Sequence, residues 1–326
     1  MKRTGIVCAL LIAGFAMAFA GGAGDRGGGE FPGGRPITMI VPWAPGGGSD
    51  IGARILLPYL ERELGTTVNV INPTGATGWI GWERLLSDPA NGHTIAMVNF
   101  PALFSGYLNP ALGRTRTIHD FDLLANHVTD FSGLAIHIDE TRFTDLESFI
   151  AFARNNPVSV TTTGVGTQQH ILLLKLNAGL GLNITAVHGT GFADSYAALL
   201  GRHVDAVFGS VGELLVPERN QELRALVLFS DDTVPLMPHI RVWNHLGLGP
   251  EIVNSSQRAF AIRRGTPPEV VSVLAGALER AINSPTQVAR MRELGLYVDF
   301  MGPEDFTRHI HAEESSIRSL APLLGW

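Results

Sequence analysis

Cysteine is almost missing from this 326-residue chain, whose one cysteine is Cys8. Cys8 lies in the apolar run 6–19, which follows the basic residues Lys2 and Arg3. A basic start, an apolar run and a small-residue end are typical of a secretory signal peptide, so we expect residues 1–24 to hold a signal peptide and the start of a linker. The run is shorter than the roughly 20 residues that span a membrane comfortably, although an uncleaved anchor is an alternative.

The lack of further cysteine excludes several kinds of chemistry from the exported protein. Cys8 is too early in the apolar run to carry a lipid after cleavage, so lipidation is not expected. Disulfides, thiolate metal sites and a cysteine nucleophile are also excluded. The HExxH pattern of zinc enzymes is missing as well, and we predict no metal and no cofactor.

Basic residues are also few, with 24 Lys and Arg against 30 Asp and Glu, for a formal charge of −6. Loss of Lys2 and Arg3 with the signal would lower this charge by two, to −8. Nucleic acid is therefore not an expected partner, because phosphate binding requires basic surface. Lys175 is the one lysine beyond the signal, and its place in a predicted helix indicates a solvated face.

Short apolar strands alternate with helical patterns in two series. The first begins at Ile37 and includes the strands 37–41, 68–71 and 93–98, and the second begins at Leu134. This rhythm predicts an α/β fold with mainly parallel sheets flanked by helices. The length and the 45% hydrophobic content favour two domains, and so two lobes.

The most informative turn is the glycine run that follows the first strand. Gly46, Gly47 and Gly48 allow φ angles that side chains forbid, so that backbone N–H groups can surround an anion at the positive end of the next helix. Ser49 or Asp50 is the expected N-cap, with Asp50 turned toward the backbone rather than toward a ligand. The alternative is that the glycines form only a tight connection.

Other polar loops follow the strands in the same way. Ligands of open α/β sheets bind beyond the carboxyl ends of strands, so we expect these loops to meet at one cleft. Their glycine, threonine and glutamine residues offer uncharged donors, which suit a carboxylate or another small anion.

Six segments resemble the substrate-binding components of tripartite tricarboxylate transporters, the Bug or TctC-like family. They are VPWAPGGGSDIGAR from Val41, NPTGATGWIG at 72–81, HTIAMV at 93–98, TTTGVGTQQH at 161–170, ADSYAALLGRHVDAVFG at 193–209 and RGTPPEVVSVLAGAL at 264–278. The resemblance implies a two-lobed periplasmic binding protein of type II-like α/β architecture with a ligand cleft between the lobes. Lobe 1 would comprise residues 36–131 plus 253–326, and lobe 2 residues 132–252.

The resemblance further implies a monomer that captures a small organic carboxylate and delivers it to TctA- and TctB-like membrane subunits. It implies no enzymatic activity. One alternative is a ligand-binding sensor that signals to a membrane kinase. Another is an exported serine hydrolase using Ser49 or Ser210, although neither serine lies between the two spaced glycines of a nucleophile elbow.

The predicted ligand-binding residues lie in the loops after the strands. They are Trp43, Ala44, Pro45, Gly46, Gly47, Gly48, Ser49, Gly75, Ala76, Asn99, Gly164, Gly166, Thr167, Gln168, His188, Thr190 and Gly191. Trp43 could instead cover the core, and His188 could lie outside the ligand site. His170 is expected to pack or to hydrogen-bond rather than to act as a base.

Two departures from the family pattern bear on the ligand. The segment Asn72–Gly78 lacks the family's basic residue, and His188 stands where a tyrosine is frequent. A less basic cleft could favour a monocarboxylate, or a neutral group at one end of the ligand.

Overall fold

The computed structural model describes residues 31–326 apart from residues 44, 163, 190 and 251, so the predicted signal peptide lies outside the described residues. The strands are β1 (Ile37–Ile40), β2 (Val68–Ile71), β3 (Thr94–Phe100), β4 (Phe121–His137), β5 (Val158–Thr162), β6 (Ile184–His188), β7 (Ala206–Ser210), β8 (Leu223–Leu228), β9 (Ser255–Arg263) and β10 (Val298–Met301). The α-helices are α1 (Gly48–Leu64), α2 (Trp79–Ser87), α3 (Ala102–Leu108), α4 (Leu146–Asn155), α5 (Gln168–Leu180), α6 (Phe192–Leu200), α7 (Val211–Arg219), α8 (Pro268–Ile282), α9 (Pro285–Glu293) and α10 (Pro303–Leu324).

The strands pair in the order β2-β1-β3-β9-β4-β7-β5-β6, and β8 and β10 also pair with β4. Parallel pairing joins β1 to β2 and β3, and β5 to β6 and β7. The α/β class is therefore confirmed, but the sheet is mixed rather than mainly parallel. The reason is that β4, β8, β9 and β10 pair antiparallel with their neighbours.

The long strand β4 connects the two halves of the sheet. Its first part, Phe121–Phe131, pairs with β9, and its second part, from Ser132, pairs with β7. One continuous strand thus belongs to both halves. It fixes the positions of the neighbouring strand and helix ends relative to each other. The lobe boundaries at 131/132 and 252/253 stay a prediction.

Separate hydrophobic clusters lie in each half. Two clusters consist mainly of residues from β1–β3, β9, α1, α2, α8 and α10. Two others consist of residues between 134 and 252. Ile171 of α5 is an exception, because it packs into a cluster of the first half. Helix α5 therefore contacts both halves beside the loop that precedes it.

Helix α1 shows how the sequence directs this packing. Ala53, Leu56 and Leu60 recur at helical spacing and are fully buried against the sheet. Burial of each leucine contributes about 1.5–3 kcal/mol relative to exposure. Gly65 takes the left-handed conformation that ends the helix. Ile51, in the first turn, is 36% exposed.

The N-cap prediction for α1 was wrong. The helix begins at Gly48 and its N-cap is Gly47, so that Ser49 and Asp50 lie inside the first turn. Only Gly46 of the three glycines has a positive φ, of 80°, whereas Gly47 is extended at φ −75°. Gly46 is therefore the one glycine of this turn whose φ angle a side chain would disfavour.

The expectation that Lys175 faces solvent was also wrong. Helix α5 packs against α10, and burial lowers the pKa of Lys175, while the Glu313 carboxylate opposes that shift.

No helix among residues 31–326, with the four gaps named above, is long and apolar enough to cross a membrane.

Candidate functional site

A cavity of about 670 Å³ lies between the two halves of the molecule. The β1–α1 turn, the short 3-10 helix Ala76–Gly78 and the end of β3 line it from one half. The β5–α5 turn and the start of α7 line it from the other half. Since these segments follow strands, their loops meet as the sheet topology predicts.

Seven of the predicted site residues line this cavity. They are Trp43, Ser49, Ala76, Asn99, Gly166, Thr167 and Gln168. Their role in ligand binding stays a prediction, but the structure brings them together from three strand ends and one short helix.

The other predicted site residues do not line the cavity or lie outside the described residues. Pro45, Gly46, Gly47, Gly48, Gly75, Gly164, His188 and Gly191 are not among its lining residues. Ala44 and Thr190 fall outside the described residues. The glycines shape the turns rather than the surface of the cavity. His188 lies exposed at the end of β6, with its Nδ1 atom 2.6 Å from Thr162 Oγ1.

The β1–α1 turn is held from behind by Asp50. Its carboxylate accepts hydrogen bonds from Gly46 N (2.9 Å), Arg54 Nε (2.8 Å) and Asn72 Nδ2 (3.0 Å). Burial opposes ionisation of Asp50, but these donors outweigh it and lower its pKa. The prediction that Asp50 turns toward the backbone is confirmed.

A polar chain crosses the cavity wall beside this turn. Trp43 Nε1 donates to Asn99 Oδ1 (2.6 Å), and Asn99 Nδ2 donates to Ser49 Oγ (3.2 Å). Trp43 therefore forms part of the cavity wall while its ring also packs against a core cluster. Trp43 therefore both covers the core and forms cleft wall, the two alternatives that the sequence left open.

The β5–α5 turn is held by neutral groups. Thr167 Oγ1 donates to Gly164 O (2.8 Å), and Gly166 N donates to His170 Nδ1 (3.1 Å). Burial, together with the nearby His188, lowers the pKa of His170 and so favours the neutral ring that accepts this bond. The interpretation of His170 as a hydrogen-bonding residue is confirmed.

A hydrogen bond between described residues of opposite halves lies at the cavity. Ser105 Oγ of α3 donates to Gly166 O of the β5–α5 turn, at 2.6 Å. Trp326 lies over the same glycine, since a Cβ on Gly166 would come within 2.9 Å of the indole. The two halves are in contact here.

Sequence reasoning missed the charged groups of the cavity. Arg258 Nη2 donates to Asp130 Oδ2 (2.9 Å), and both side chains are largely buried. Burial raises the pKa of Asp130, opposed by Arg258, and burial also raises the pKa of Glu213. Asp130 and Arg258 lie on the paired strands β4 and β9, and only an interruption of their apolar pattern marked them in the sequence.

The two serines of the hydrolase alternative are engaged in structural bonds. Ser49 Oγ accepts from Asn99, and Ser210 is the N-cap of α7, whose Oγ accepts from Glu213 N (3.4 Å). Within residues 31–326, gaps excepted, no group of three or more His, Cys, Asp or Glu side chains could hold a metal ion.

Two mixed α/β halves with a cleft between strand-to-helix turns are the architecture of periplasmic binding proteins, and the solved structure of periplasmic binding protein BugD shares this fold (TM-score 0.71, 24% identity, covering 89% of this chain and 98% of that one). The chain belongs to the TctC family, the tripartite tricarboxylate transporter family receptors, whose match spans residues 53–321. This is a family of solute-binding receptors and not of enzymes, so the hydrolase alternative is excluded.

Two relatives illustrate the similarity. Protein BugT of Bordetella pertussis is 29% identical over 309 residues, which cover 94% of this chain and 93% of BugT. The crystal structure of a TctC solute-binding protein from Polaromonas, without ligand, has a TM-score of 0.80 at 23% identity and covers 90% of this chain and 99% of that one. Both similarities extend over nearly the whole of each chain.

Proposed function

We propose that this protein is an extracytoplasmic receptor that encloses a small organic carboxylate and delivers it to the membrane subunits of a tripartite-type transporter. The observation that carries this proposal is the cavity between the two strand-to-helix turns, bridged by the Ser105–Gly166 hydrogen bond. Its volume of about 670 Å³ lies within the range of roughly 300–1,000 Å³ typical of small-molecule sites.

The donors around the cavity support a carboxylate as the ligand. Ser49, Asn99, Thr167 and Gln168 supply uncharged polar groups, and Arg258 supplies a positive charge. Carboxylates bind best to such N–H and O–H donors, above all to guanidinium. Solved relatives include a Rhodopseudomonas palustris protein with adipate (TM-score 0.75, 23% identity, 89% and 97% coverage) and MatC of that species with bound malate (TM-score 0.67, 23% identity, 87% and 97% coverage).

Closure is the functional step of this receptor. A ligand can favour the closed state only by as much as it binds that state better than the open one. Groups from both halves must therefore touch the ligand, and Ser49 and Gln168 lie on opposite sides of the cavity. The membrane subunits would then recognise the closed arrangement, and no covalent chemistry takes place.

The remaining assignments belong to the same proposal. Residues 1–24 direct export to the periplasm, residues 36–131 plus 253–326 form lobe 1, and residues 132–252 form lobe 2. The receptor acts as a monomer, because one chain supplies both sides of the cavity.

The test is a thermal-shift screen of the mature protein against mono-, di- and tricarboxylates, after refolding to remove any bound ligand. A ligand at 100 times its Kd should stabilise the protein by about 2.7 kcal/mol, which is a shift of several degrees. Titration calorimetry then confirms one site per chain. If no carboxylate stabilises the refolded protein while uncharged solutes do, the proposed ligand class is wrong.

A further inference from the structure

Arg258 presents an unused donor at the base of the cavity. Its Nη2 is occupied by Asp130, whereas Nη1 is buried and has no hydrogen-bond partner among the described residues. A buried donor without a partner costs about 1–3 kcal/mol, and more when it is charged. Nη1 therefore favours a hydrogen-bond acceptor supplied by a ligand.

The position of Nη1 suits a carboxylate oxygen in particular. A Cβ placed on Gly48, the first residue of α1, would lie 3.2 Å from Nη1. The guanidinium thus lies beside the N-terminus of a 17-residue helix, where the positive end of the helix dipole adds to its charge. The absence of a side chain at Gly48 leaves room for this approach.

Among the described residues that line the cavity, Arg258 is the one cation. Among its described lining residues, the charged side chains are Asp130, Glu213 and Arg258. Asp130 is paired with Arg258, and burial raises the pKa of Glu213, which favours its neutral form. Arg114 is near, with its guanidinium 4.7 Å from the centre of the Trp79 ring, but it does not line the cavity.

The rest of the wall combines uncharged polar side chains with apolar and aromatic ones. Trp79, Phe100 and Trp326 line the cavity. Leu112 from one half and Val165 from the other also line it while keeping 52% and 63% of their surface exposed. Exposed apolar side chains on both sides of a cleft favour an apolar ligand body between them.

We propose that the cleft selects a monocarboxylate, whose single carboxylate contacts Arg258 Nη1 beside the start of α1 and whose remaining body is apolar. This inference rests on the proposed carboxylate-receptor function and specifies its substrate class. Arg258 binds the anion, and the lack of a second cation among the described lining residues acts against diacids.

The experiment compares acids of equal carbon skeleton by calorimetry on the mature protein: hexanoate against adipate, and benzoate against terephthalate. The monocarboxylate of each pair should bind at least tenfold more tightly. Equal or tighter binding of the diacids would overturn the inference and leave the receptor function intact. Failure of all carboxylates would instead contradict the proposed function itself.

Variants assign the selectivity to residues. Arg258→Gln should weaken monocarboxylate binding by about tenfold to a hundredfold, since it removes a charge-assisted bond. Arg258→Gln combined with Asp130→Asn avoids a buried unpaired carboxylate, and this double variant serves if the single one does not fold.

Two further variants complete the design. Arg290→Gln removes one positive charge from an exposed pair with Glu293 and should leave both affinities unchanged. Arg114→Gln tests for a second anion subsite behind Trp79. Unchanged selectivity in this variant supports the inference, and a selective loss of adipate binding would contradict it.

Discussion

The two turns that face each other across the cavity perform the same geometric task by different means. Each joins a buried strand to a helix through glycines, yet the β1–α1 turn is held by the ionised carboxylate of Asp50. The β5–α5 turn is held by the Thr167 hydroxyl and by the neutral ring of His170. Similar glycine motifs in a sequence therefore do not imply similar support.

The two turns also differ in their contacts across the cavity. Gly166 meets Ser105 and Trp326 of the opposite half, whereas an added Cβ at Gly46 would have no atom within 4 Å. The contacts of the β5–α5 turn thus depend on whether the halves are together, whereas the β1–α1 turn is a preformed part of its own half. Substitutions at matched positions should separate these roles.

The largest effect is expected from Gly166→Ala. Gly166 has φ +74°, where a side chain costs about 1–2 kcal/mol, and its new Cβ would lie 2.9 Å from the Trp326 indole. The collision occurs only when the halves are closed, so ligand affinity should fall at least tenfold by calorimetry. Gly46→Ala, at φ +80° with open space around it, is the matched control and should weaken binding far less. Equal losses of ligand affinity in both variants would show that backbone strain, and not the contact with Trp326, lowers the affinity.

Asp50→Ala should have the next largest effect, on stability. It removes the acceptor of Gly46 N and one acceptor of Asn72 Nδ2, which keeps its bonds to Val41 O and Trp43 O. A hydrogen bond to a charged group contributes about 1.5–3 kcal/mol. The free energy of unfolding from urea titration should fall by roughly that amount. Arg54→Ala breaks the half-exposed ion pair and the exposed bond from Nη2 to Asn72 Oδ1, and it should cost less than about 1 kcal/mol. A cost for Arg54→Ala as large as that for Asp50→Ala would assign the effect to the ion pair instead.

Thr167→Val should destabilise the other turn more mildly, by about 1 kcal/mol. It removes the N-cap of α5 and the bond from Oγ1 to Gly164 O while keeping the shape of the side chain. Thr167→Ser, which keeps the hydroxyl, should restore most of the loss. If the serine variant is as unstable as the valine variant, the methyl group and not the hydroxyl supports the turn.

The smallest effect at neutral pH is expected from His170→Gln, which should instead change the pH dependence. The pKa of His170 lies below its ordinary value of 6.5, because burial and His188 disfavour the charged ring. Its contribution to stability is therefore complete above about pH 6.5 and is lost as the pH falls through the lower pKa of the folded state. Melting temperatures measured from pH 7.5 to pH 4.5 should decline less in the variant, since glutamine accepts from Gly166 N without titrating.

The same measurement compares the two turns. The pKa of Asp50 lies below its ordinary value of 3.8, so its contribution persists until the pH falls through that lower value. Ligand affinity should consequently decline on acidification before the β1–α1 turn is affected. Equal declines in the His170→Gln variant and in the unaltered protein would contradict the assignment to His170.

Much of the architecture could be read from local patterns. The strand and helix alternation, the end of α1 at Gly65 and the convergence of the loops follow from apolar spacing and from chain direction. The antiparallel pairing of β4 and β9 could not be read in this way, because strand direction depends on which half of the molecule the chain enters next. Apolar spacing shows how a residue relates to its neighbours along the chain, and not which residues it pairs with across the sheet.

By itself, the sequence determined the α/β class, the two glycine turns and seven residues that line the cavity, because each depends on backbone preferences acting over a few residues. Tertiary structure alone decided the charge of the cavity, since Arg258 and Asp130 are 128 positions apart and become partners only when β9 pairs with β4. It also decided that His188 lies away from the cavity. Side-chain direction and long-range pairing result from the packing of the whole chain, and local propensity contains no information about either.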